Sequence, residues 1–432
     1  MADLSIGIDF GTTNTVIALA GADGPAHLVR FPAPEKEVFA FRSAISFHAP
    51  SENSNEREVE AGPWAIEAYV EDPLETRFIQ SFKSFAASAS FSETQILGRR
   101  YLFEDLLSAF LLKLRDHGGA DMAQLPKRVI VGRPVTFAGA APDEELALSR
   151  YETAFQRLGF TEILYSYEPV GAAFFFAREL KEDATVLVGD FGGGTSDFSI
   201  IRFTRRDGEI QSTPLGRSGV GVAGDAFDYR IIDNLVSPQL GKGSSYTSFG
   251  KVLPIPNRYY STFARWDQLA LMRASRDMRE IRKLVREAVE PEKIERLVEV
   301  LDENYGYMLY RSVSNLKEAL SSQDSAEFRF EAGTISIGRQ VARTEFEAWI
   351  APELGLIETA VDRALGDAGL AAGQIDRIFL TGGSSLVPAV RDIFRRRFDP
   401  SKIESGSELE SIASGLALMG RERDLTKWAR RA

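Results

Sequence analysis

Cysteine is absent from the 432 residues, which excludes disulfides, thiolate nucleophiles and cysteine-ligated metals together. Histidine is nearly absent: His27, His48 and His117 stand far apart, so a zinc site or a Ser-His-Asp triad lacks its parts. Cationic excess is missing too. Lys and Arg number 51 against 62 Asp and Glu, and a formal net charge of −11 argues against binding by neutralising nucleic-acid phosphates. The local run Arg395, Arg396, Arg397 is the exception. Apolar runs such as 183–191 are too short to span a bilayer. The opening MADLSIGIDFG has no basic segment followed by an apolar stretch of the kind that marks a secretory leader. The expectation is a soluble, cytoplasmic protein with neither nucleic acid nor membrane as partner. Its chemistry must come from carboxylates, hydroxyls, lysines and backbone amides. With 44% hydrophobic and 26% charged residues it can bury a large core, divided among several domains at ~150 residues each.

Residues 4–20 alternate on both sides of a turn-rich centre, GTTNT, and read as a β-hairpin. Residues 31–63 read as irregular with one strand near 41–47, and 64–115 as helical, most clearly at Leu106, Leu107, Phe110, Leu111 and Leu114. RVIVGRPVTF (128–137) is a buried strand, 142–158 a helix, and EILYSYEP (162–169) a strand running into a turn. GAAFFFAREL (171–180) is a helix, and ATVLVGDFGGGTSDFSIIRF (184–203) is a second hairpin. The segment 237–262 looks like a long loop, followed by helices whose apolar stripes run Ile281, Leu284, Val285, Ala288 and Ile294, Leu297, Val298, Leu301. Strand (334–338), helix (344–368), strand (375–381) and helix (386–398) complete an α/β pattern.

The two hairpins echo each other. GIDFGTTNTVIAL and VGDFGGGTSDFSII each place a buried strand, an Asp, Phe-Gly, small or hydroxylated residues and a second strand in the same order. Their separation is too long for a solenoid repeat, and duplication of one α/β domain explains it. Asp-Gly-rich hairpins are also ordinary turn chemistry, but one pattern in both halves points to a shared task. Glycines and short hydroxyl residues let backbone N–H groups reach phosphate oxygens. Thr12, Thr13 and Thr195 add hydroxyls, while Asp9 and Asp190 end buried strands where a carboxylate can hold hydrated Mg²⁺. No GxxxxGK[ST] loop is present, and GDFGGGTSD leads into a strand rather than the helix of a Rossmann site. A third glycine site, Gly382, Gly383, Ser384, Ser385, links an apolar strand to a helix, whose free amides suit a ribose or phosphate.

Taken in order, these motifs resemble the ATPase domain of the 70-kDa heat-shock (DnaK-type) chaperone family, within the actin, sugar-kinase and chaperone superfamily. GIDFGTTNT (7–15) and VGDFGGGTSDFSI (188–200) resemble its two phosphate motifs, YEPVGAA (167–173) its interdomain element, and GVAGDAFD (221–228) its GGEDFD stretch. LKEALS (316–321) is similar to its adenosine-contacting helix and LTGGSSLVP (380–388) to its adenosine motif, so the likeness covers roughly 4–420. The resemblance implies an α/β, actin-like ATPase fold: two duplicated ribonuclease-H-like lobes around a nucleotide cleft, with a helical subdomain. It places a first lobe at 1–180, a second at 181–380 with the helical subdomain over 225–322, the adenosine motif and closing helices at 381–420, and a tail at 421–432.

The same resemblance implies ATP or ADP with Mg²⁺ as cofactors. It assigns Lys83, Glu168, Asp190 and Thr195 to catalysis, and Asp9, Asp190 and Asp197 to the metal and its water. Gly11, Thr12, Thr13, Asn14, Gly192, Gly193, Gly194 and Thr195 would meet phosphates, and Gly224, Lys317, Ser321, Gly382, Gly383 and Ser384 the nucleoside. Locally, Lys83 could equally snorkel between apolar helix positions. Leu386 stands at the family's adenine-stacking arginine and Ser314 at a helix glutamate, which removes contacts to base or ribose. After 420 the chain ends as RERDLTKWARRA, with no acidic-apolar linker and no β-rich peptide-binding domain, and it reads as a truncated, stand-alone module. Three functions follow from different classes: a slowly hydrolysing chaperone-like ATPase, a nucleotide-gated scaffold, and a small-molecule kinase. A protein partner is expected on the lobe surface or on 237–262, through Tyr246, Phe249, Tyr259 and Tyr260, unless these rings pack onto the helices behind them.

Overall fold

The computed structural model describes residues 4–33, 36–49, 57–178, 180–206, 209–272, 275–406, 409–422 and 425–432. Ser5–Phe10 and Asn14–Ala20 form an antiparallel hairpin with Asp9 opposite Val16. Arg128–Arg133 pairs in parallel with Ser5–Phe10, and Glu162–Tyr167 in parallel with Arg128–Arg133. His27–Leu28 lies antiparallel on the far edge, with Phe41–Arg42 also pairing onto Asn14–Ala20.

A second sheet repeats that plan. Ala184–Phe191 and Ser196–Arg206 form its hairpin, Glu209–Val220 pairs antiparallel outside it, and Arg377–Thr381 and Ile403–Ser405 follow in parallel on the other side. In both sheets the strand order is third, second, first, fourth, fifth, with the same directions. This is the duplicated, ribonuclease-H-like arrangement of the actin-like ATPase fold. Ala184–Phe191 is buried at every position, which its apolar run ATVLVG requires of a central strand covered on both faces.

The helices that close each unit cross over to the other. Glu168–Ala177 starts with Pro169 in its first turn, a position that tolerates the missing N–H. It packs onto the second sheet, where Phe176 stacks on Phe379 with ring centroids 3.9 Å apart. Ser411–Met419 packs onto the first sheet, its Ala413 and Ala417 against Val16, Ala18 and Ala20. The two helices meet at Gly171 and Gly415, where a Cβ on Gly415 would strike the Gly171 carbonyl oxygen. Glycine there brings the two helix backbones into contact.

Several local expectations need correcting. Within 31–63 the described residues hold five short strands rather than one, and Ala44–His48 is the centre of a three-stranded sheet with Glu58–Ala61 and Thr76–Gln80. Residues 64–115 are not continuously helical. Between the helices Gly62–Glu71 and Phe103–His117 lie Thr76–Gln80, the 3₁₀ turn Phe82–Phe85 and a small hairpin, because long-range pairing overrides local periodicity there. EILYSYEP does not end in a turn, since Glu168 opens a helix directly.

The segment 237–262 is structured rather than a long loop. It carries a 3₁₀ turn (Ser237–Leu240), a hairpin (Ser245–Ser248 with Lys251–Pro254) and a helix (Arg258–Phe263). Tyr259 and Tyr260 are buried, and the Tyr260 hydroxyl donates to the Leu240 carbonyl at 3.0 Å. Tyr246 packs against the same core, while Phe249 at the hairpin turn is fully exposed. In the tail, the described residues 425–432 dock on the first sheet and its helix: Trp428 lies edge-on against Phe174, and Arg430 and Tyr165 exchange backbone hydrogen bonds.

Candidate functional site

Each hairpin turn is closed by one bond in the same place. The Gly11 amide donates to the Asn14 carbonyl at 3.0 Å, and the Gly192 amide donates to the Thr195 carbonyl at 3.0 Å. The fold turns these two loops toward each other. A Cβ on Gly193 would lie 2.5 Å from Thr13 Oγ1 and 3.2 Å from Thr12 Cβ, and one on Gly194 would lie 3.1 Å from Thr12 Oγ1. Only glycine fits in the second turn where it faces the hydroxyls of the first. Thr12, Thr13, Gly193 and Gly194 come from distant parts of the sequence to one spot.

Carboxylates lie beside the turns. Asp190 and Asp197 are directly opposite each other across the second hairpin. Burial first, then Glu168, pushes Asp9 up to about 7, with Lys83 opposing. Burial, Glu168, Asp9 and Asp197 raise Asp190 well above its usual range. Burial and Glu168 also raise Asp197 to about 7, against bonds from Thr195 and the Thr136 and Val135 amides. Asp197 Oδ1 accepts those two amides at 2.7 and 3.2 Å, which ties the second hairpin to the end of the first lobe's strand. Asp197 Oδ2 is buried without a partner.

Lys83 answers this negative cluster. Its Nζ donates to Glu168 Oε1 at 2.7 Å with both side chains buried, and it lies 5.8 Å over the Phe10 ring. Burial works against the ammonium, but Glu168, Tyr151 and Asp9 outweigh it and raise its pKa. Ser81, in the left-handed conformation at φ 54°, turns the chain so that the 3₁₀ helix delivers Lys83 inward.

Elements of the second lobe build a further wall. The Gly192 carbonyl accepts from Ser384 Oγ at 3.0 Å and from the Gly224 amide at 3.3 Å, and the Gly193 carbonyl accepts from the Asp225 amide at 2.7 Å. Gly382, at φ 83°, presses on Phe191, where any Cβ would strike its carbonyl. Lys317 Nζ donates to Asp228 Oδ1 at 2.6 Å and to the Gly224 carbonyl at 3.4 Å. Burial opposes the Lys317 charge, and Asp228 more than restores it, so its pKa is raised.

Ser321 lies one helical turn beyond Lys317 and its hydroxyl bonds back to the Lys317 carbonyl, so it holds nothing outside its own helix. Gly383 faces open space, Leu386 is 45% exposed, and Asn14 pairs with Arg42 in the sheet. Three residues escaped sequence reasoning. Ser43 donates to the Gly11 carbonyl at 2.7 Å and its amide donates to the Thr13 carbonyl. Asp228 anchors Lys317 and accepts from the Trp266 indole at 3.0 Å. Tyr151 is buried beside Lys83. Asp228 stood inside the GVAGDAFD motif and could have been singled out there, whereas nothing local marks Ser43 or Tyr151.

The residues present suit a hydrated Mg²⁺. Two buried carboxylates, Asp190 and Asp197, and the half-buried Asp9, all with raised proton affinity, together with one orphaned oxygen leave a deficit that a cation would fill. Among the described residues no three acidic or histidine side chains are placed to chelate a metal directly. Mg²⁺ commonly keeps several waters and few protein ligands, so the set agrees with that habit. Among the described residues no helix is long and apolar enough to cross a membrane.

Residues 282–421 match the family model described as Hsp70 protein. The chain is 25% identical over 427 residues to the chaperone protein DnaK of Deinococcus proteolyticus, covering 96% of this chain and 58% of that protein. To the chaperone protein DnaK of Deinococcus radiodurans it is 27% identical over 433 residues, 96% of this chain and 59% of the relative. To that of Thermus thermophilus it is 24% identical over 436 residues, 98% and 62% respectively. It spans about three-fifths of the length of the curated relatives it matches.

Proposed function

We propose that this chain, which is Hsp70/DnaK-like over nearly its whole length, is a chaperone-type, ATP-binding module that closes two lobes on Mg-nucleotide and hydrolyses ATP slowly. The observation that carries the reading is the pair of equivalent turns, Gly11–Asn14 and Gly192–Thr195, facing each other beside buried carboxylates. Amides and hydroxyls of Thr12, Thr13, Gly193, Gly194 and Thr195 would receive phosphate oxygens. Asp9, Asp190 and Asp197 would hold hydrated Mg²⁺, which supplies charge neutralisation at the terminal phosphates. Lys83 adds fixed positive charge, worth most in a site that excludes water. Asp190 and Glu168 orient the attacking water by accepting its protons. Ser384, Gly224 and Lys317 shape the nucleoside end. Phe249 and Val252, exposed on the hairpin within 245–254, are the proposed seat of a protein partner.

The Lys83–Glu168 ion pair favours a second reading. An ammonium already held by a carboxylate has less charge to lend to a transferring phosphoryl group, as in a nucleotide-gated scaffold whose output is lobe closure. Calorimetric titration with ATP and ADP, with and without Mg²⁺, tests nucleotide binding, and steady-state phosphate release separates the two readings. Tight Mg-dependent binding of both nucleotides with measurable release supports the ATPase. Binding without release supports the scaffold, and absence of binding refutes both.

A further inference from the structure

A groove of about 530 Å³ lies between the lobes, and none of the turn residues lines it. The first sheet contributes Arg133 and Tyr167, the second Arg217 and Leu215, and the docked C-terminal segment Trp428 and Arg430. A volume in this range suits a small-molecule ligand. The walls combine an apolar part with a concentrated positive charge.

Arg133 is the built element of this groove. It is 6% exposed, donates through Nε to the Pro134 carbonyl at 3.2 Å and through Nη1 to Glu144 Oε1 at 2.5 Å, and its Nη2 is buried without a hydrogen-bond partner. A guanidinium has five donors in a fixed fork, and an unmet donor in a buried position costs stability. Tyr167 holds two guanidiniums over its ring, that of Arg133 at 4.8 Å and that of Arg217 at 4.6 Å. The ring therefore gathers two guanidiniums at one side of the groove, and Glu144 is the carboxylate nearest to them. Glu144, half exposed, is the carboxylate paired with Arg133, and it also feels the charges of Arg217 and Arg430. The carboxylates Glu144 and Asp367 line the groove with the cations Arg133, Arg217, Lys427, Arg430 and Arg431, which leaves a net positive site beside Leu215, Val170 and Trp428.

We propose that this groove binds a small organic anion, a carboxylate or phosphate group carried on an apolar body. The head group meets the guanidiniums of Arg133, Arg217 and Arg430, and the body lies on Leu215 and Trp428. Because the walls come from both lobes, bound ligand bridges them. The inference is independent of whether the turns bind nucleotide.

The test uses the full chain with excess Mg-ADP present. Phenyl phosphate and benzoate are titrated, with benzyl alcohol and inorganic phosphate as comparisons, by equilibrium dialysis and by tryptophan fluorescence. The expected result is saturable binding of phenyl phosphate, benzoate or both. It weakens about tenfold or more in Arg217→Gln and in Arg430→Gln, as loss of one charge-assisted bond implies. Which of the two probes binds tells a phosphate head from a carboxylate. In Trp428→Phe the fluorescence response disappears while dialysis still registers binding. Four results would each overturn the proposal: no saturable binding of either anion, benzyl alcohol or inorganic phosphate binding as tightly, binding only when Mg-ADP is left out, or full affinity in both arginine variants. Arg217 is exposed, so its substitution leaves the fold intact and keeps the test decisive.

Discussion

The first hairpin turn is steadied from within its own lobe: Ser43 caps the Gly11 carbonyl, its amide reaches the Thr13 carbonyl, and its hydroxyl pairs with Thr15 Oγ1 at 2.9 Å. The second turn is steadied by the parts that would surround a nucleoside, through Ser384, Gly224 and Asp225. The glycines differ in the same sense. A Cβ on Gly11 would collide with the Asn14 carbonyl, whereas one on Gly192 would sit 3.6 Å from the Thr195 carbonyl, an ordinary contact. One turn is a fixed platform. The other is tied to Ser384, Gly224 and Asp225, so a nucleoside bound among them, as proposed, would be felt at the turn.

The largest expected effect concerns the charges between the turns. Asp190→Asn and Lys83→Ala should each lower ATP turnover by ~10²-fold or more while nucleotide affinity changes less, because each group acts as charge develops. Single-turnover hydrolysis beside calorimetry checks this. Parent-like turnover in both variants would mean that the cleft between the turns does not organise hydrolysis.

The contrast in glycine environment gives the next effect. Gly11→Ala should destabilise the protein by roughly 1–3 kcal/mol, as crowding against backbone does, and Gly192→Ala should cost little by denaturant titration. Equal costs would erase the difference between platform and reporter. The tethers sharpen it further. Ser43→Ala leaves the Gly11 carbonyl unmet and should cost about 1–3 kcal/mol of stability, whereas Ser384→Ala should appear chiefly as weaker Mg-ADP binding. If Ser384→Ala instead lowers stability and spares affinity, the second turn is merely structural.

Much of this site was legible in the sequence, and the reasons are physical. Both turns carry glycine and hydroxyl residues between apolar strands, a signal contained within a dozen residues. The buried run of Ala184–Phe191 and the apolar stripe of Phe103–His117 were plain for the same reason. What stayed hidden depends on contacts distant in sequence. Ser384 meets Gly192 across 192 positions, and Lys83 meets Glu168 across 85. Resemblance alone suggested Lys83, and nothing suggested its ion pair. Tyr259, Tyr260 and Trp428 are aromatic residues in polar surroundings, and only the packed neighbours show that they are buried. The misread strand Thr76–Gln80 is too short to show its alternation and is held by pairing with Ala44–His48.

A smaller effect follows from pH. Asp9 and Asp197 keep their protons up to about 7 in the folded chain, against an ordinary value of 3.8. Between those values the folded chain binds more protons than the unfolded one, so this contribution to stability declines as pH rises and levels off above about 7. Thermal unfolding without nucleotide should show the decline, and Asp197→Asn should flatten part of it. Mg-ADP affinity should rise over the same interval, since the cation competes with protons. Stability that climbs with pH in the parent, with the same slope in Asp197→Asn, would remove these carboxylates from the account.

Both turns are proposed to face one bound nucleotide, and Gly193→Val is the substitution that decides it. The added side chain would enter the space beside Thr13 Oγ1 and Thr12, where side-chain atoms can yield without disturbing the sheets. Calorimetric titration of Mg-ADP into parent and variant, with unfolding midpoints measured alongside, is the decisive measurement. The expected outcome is saturable binding to the parent, loss of binding in Gly193→Val, and closely similar midpoints. Equal affinity in a folded variant would contradict it.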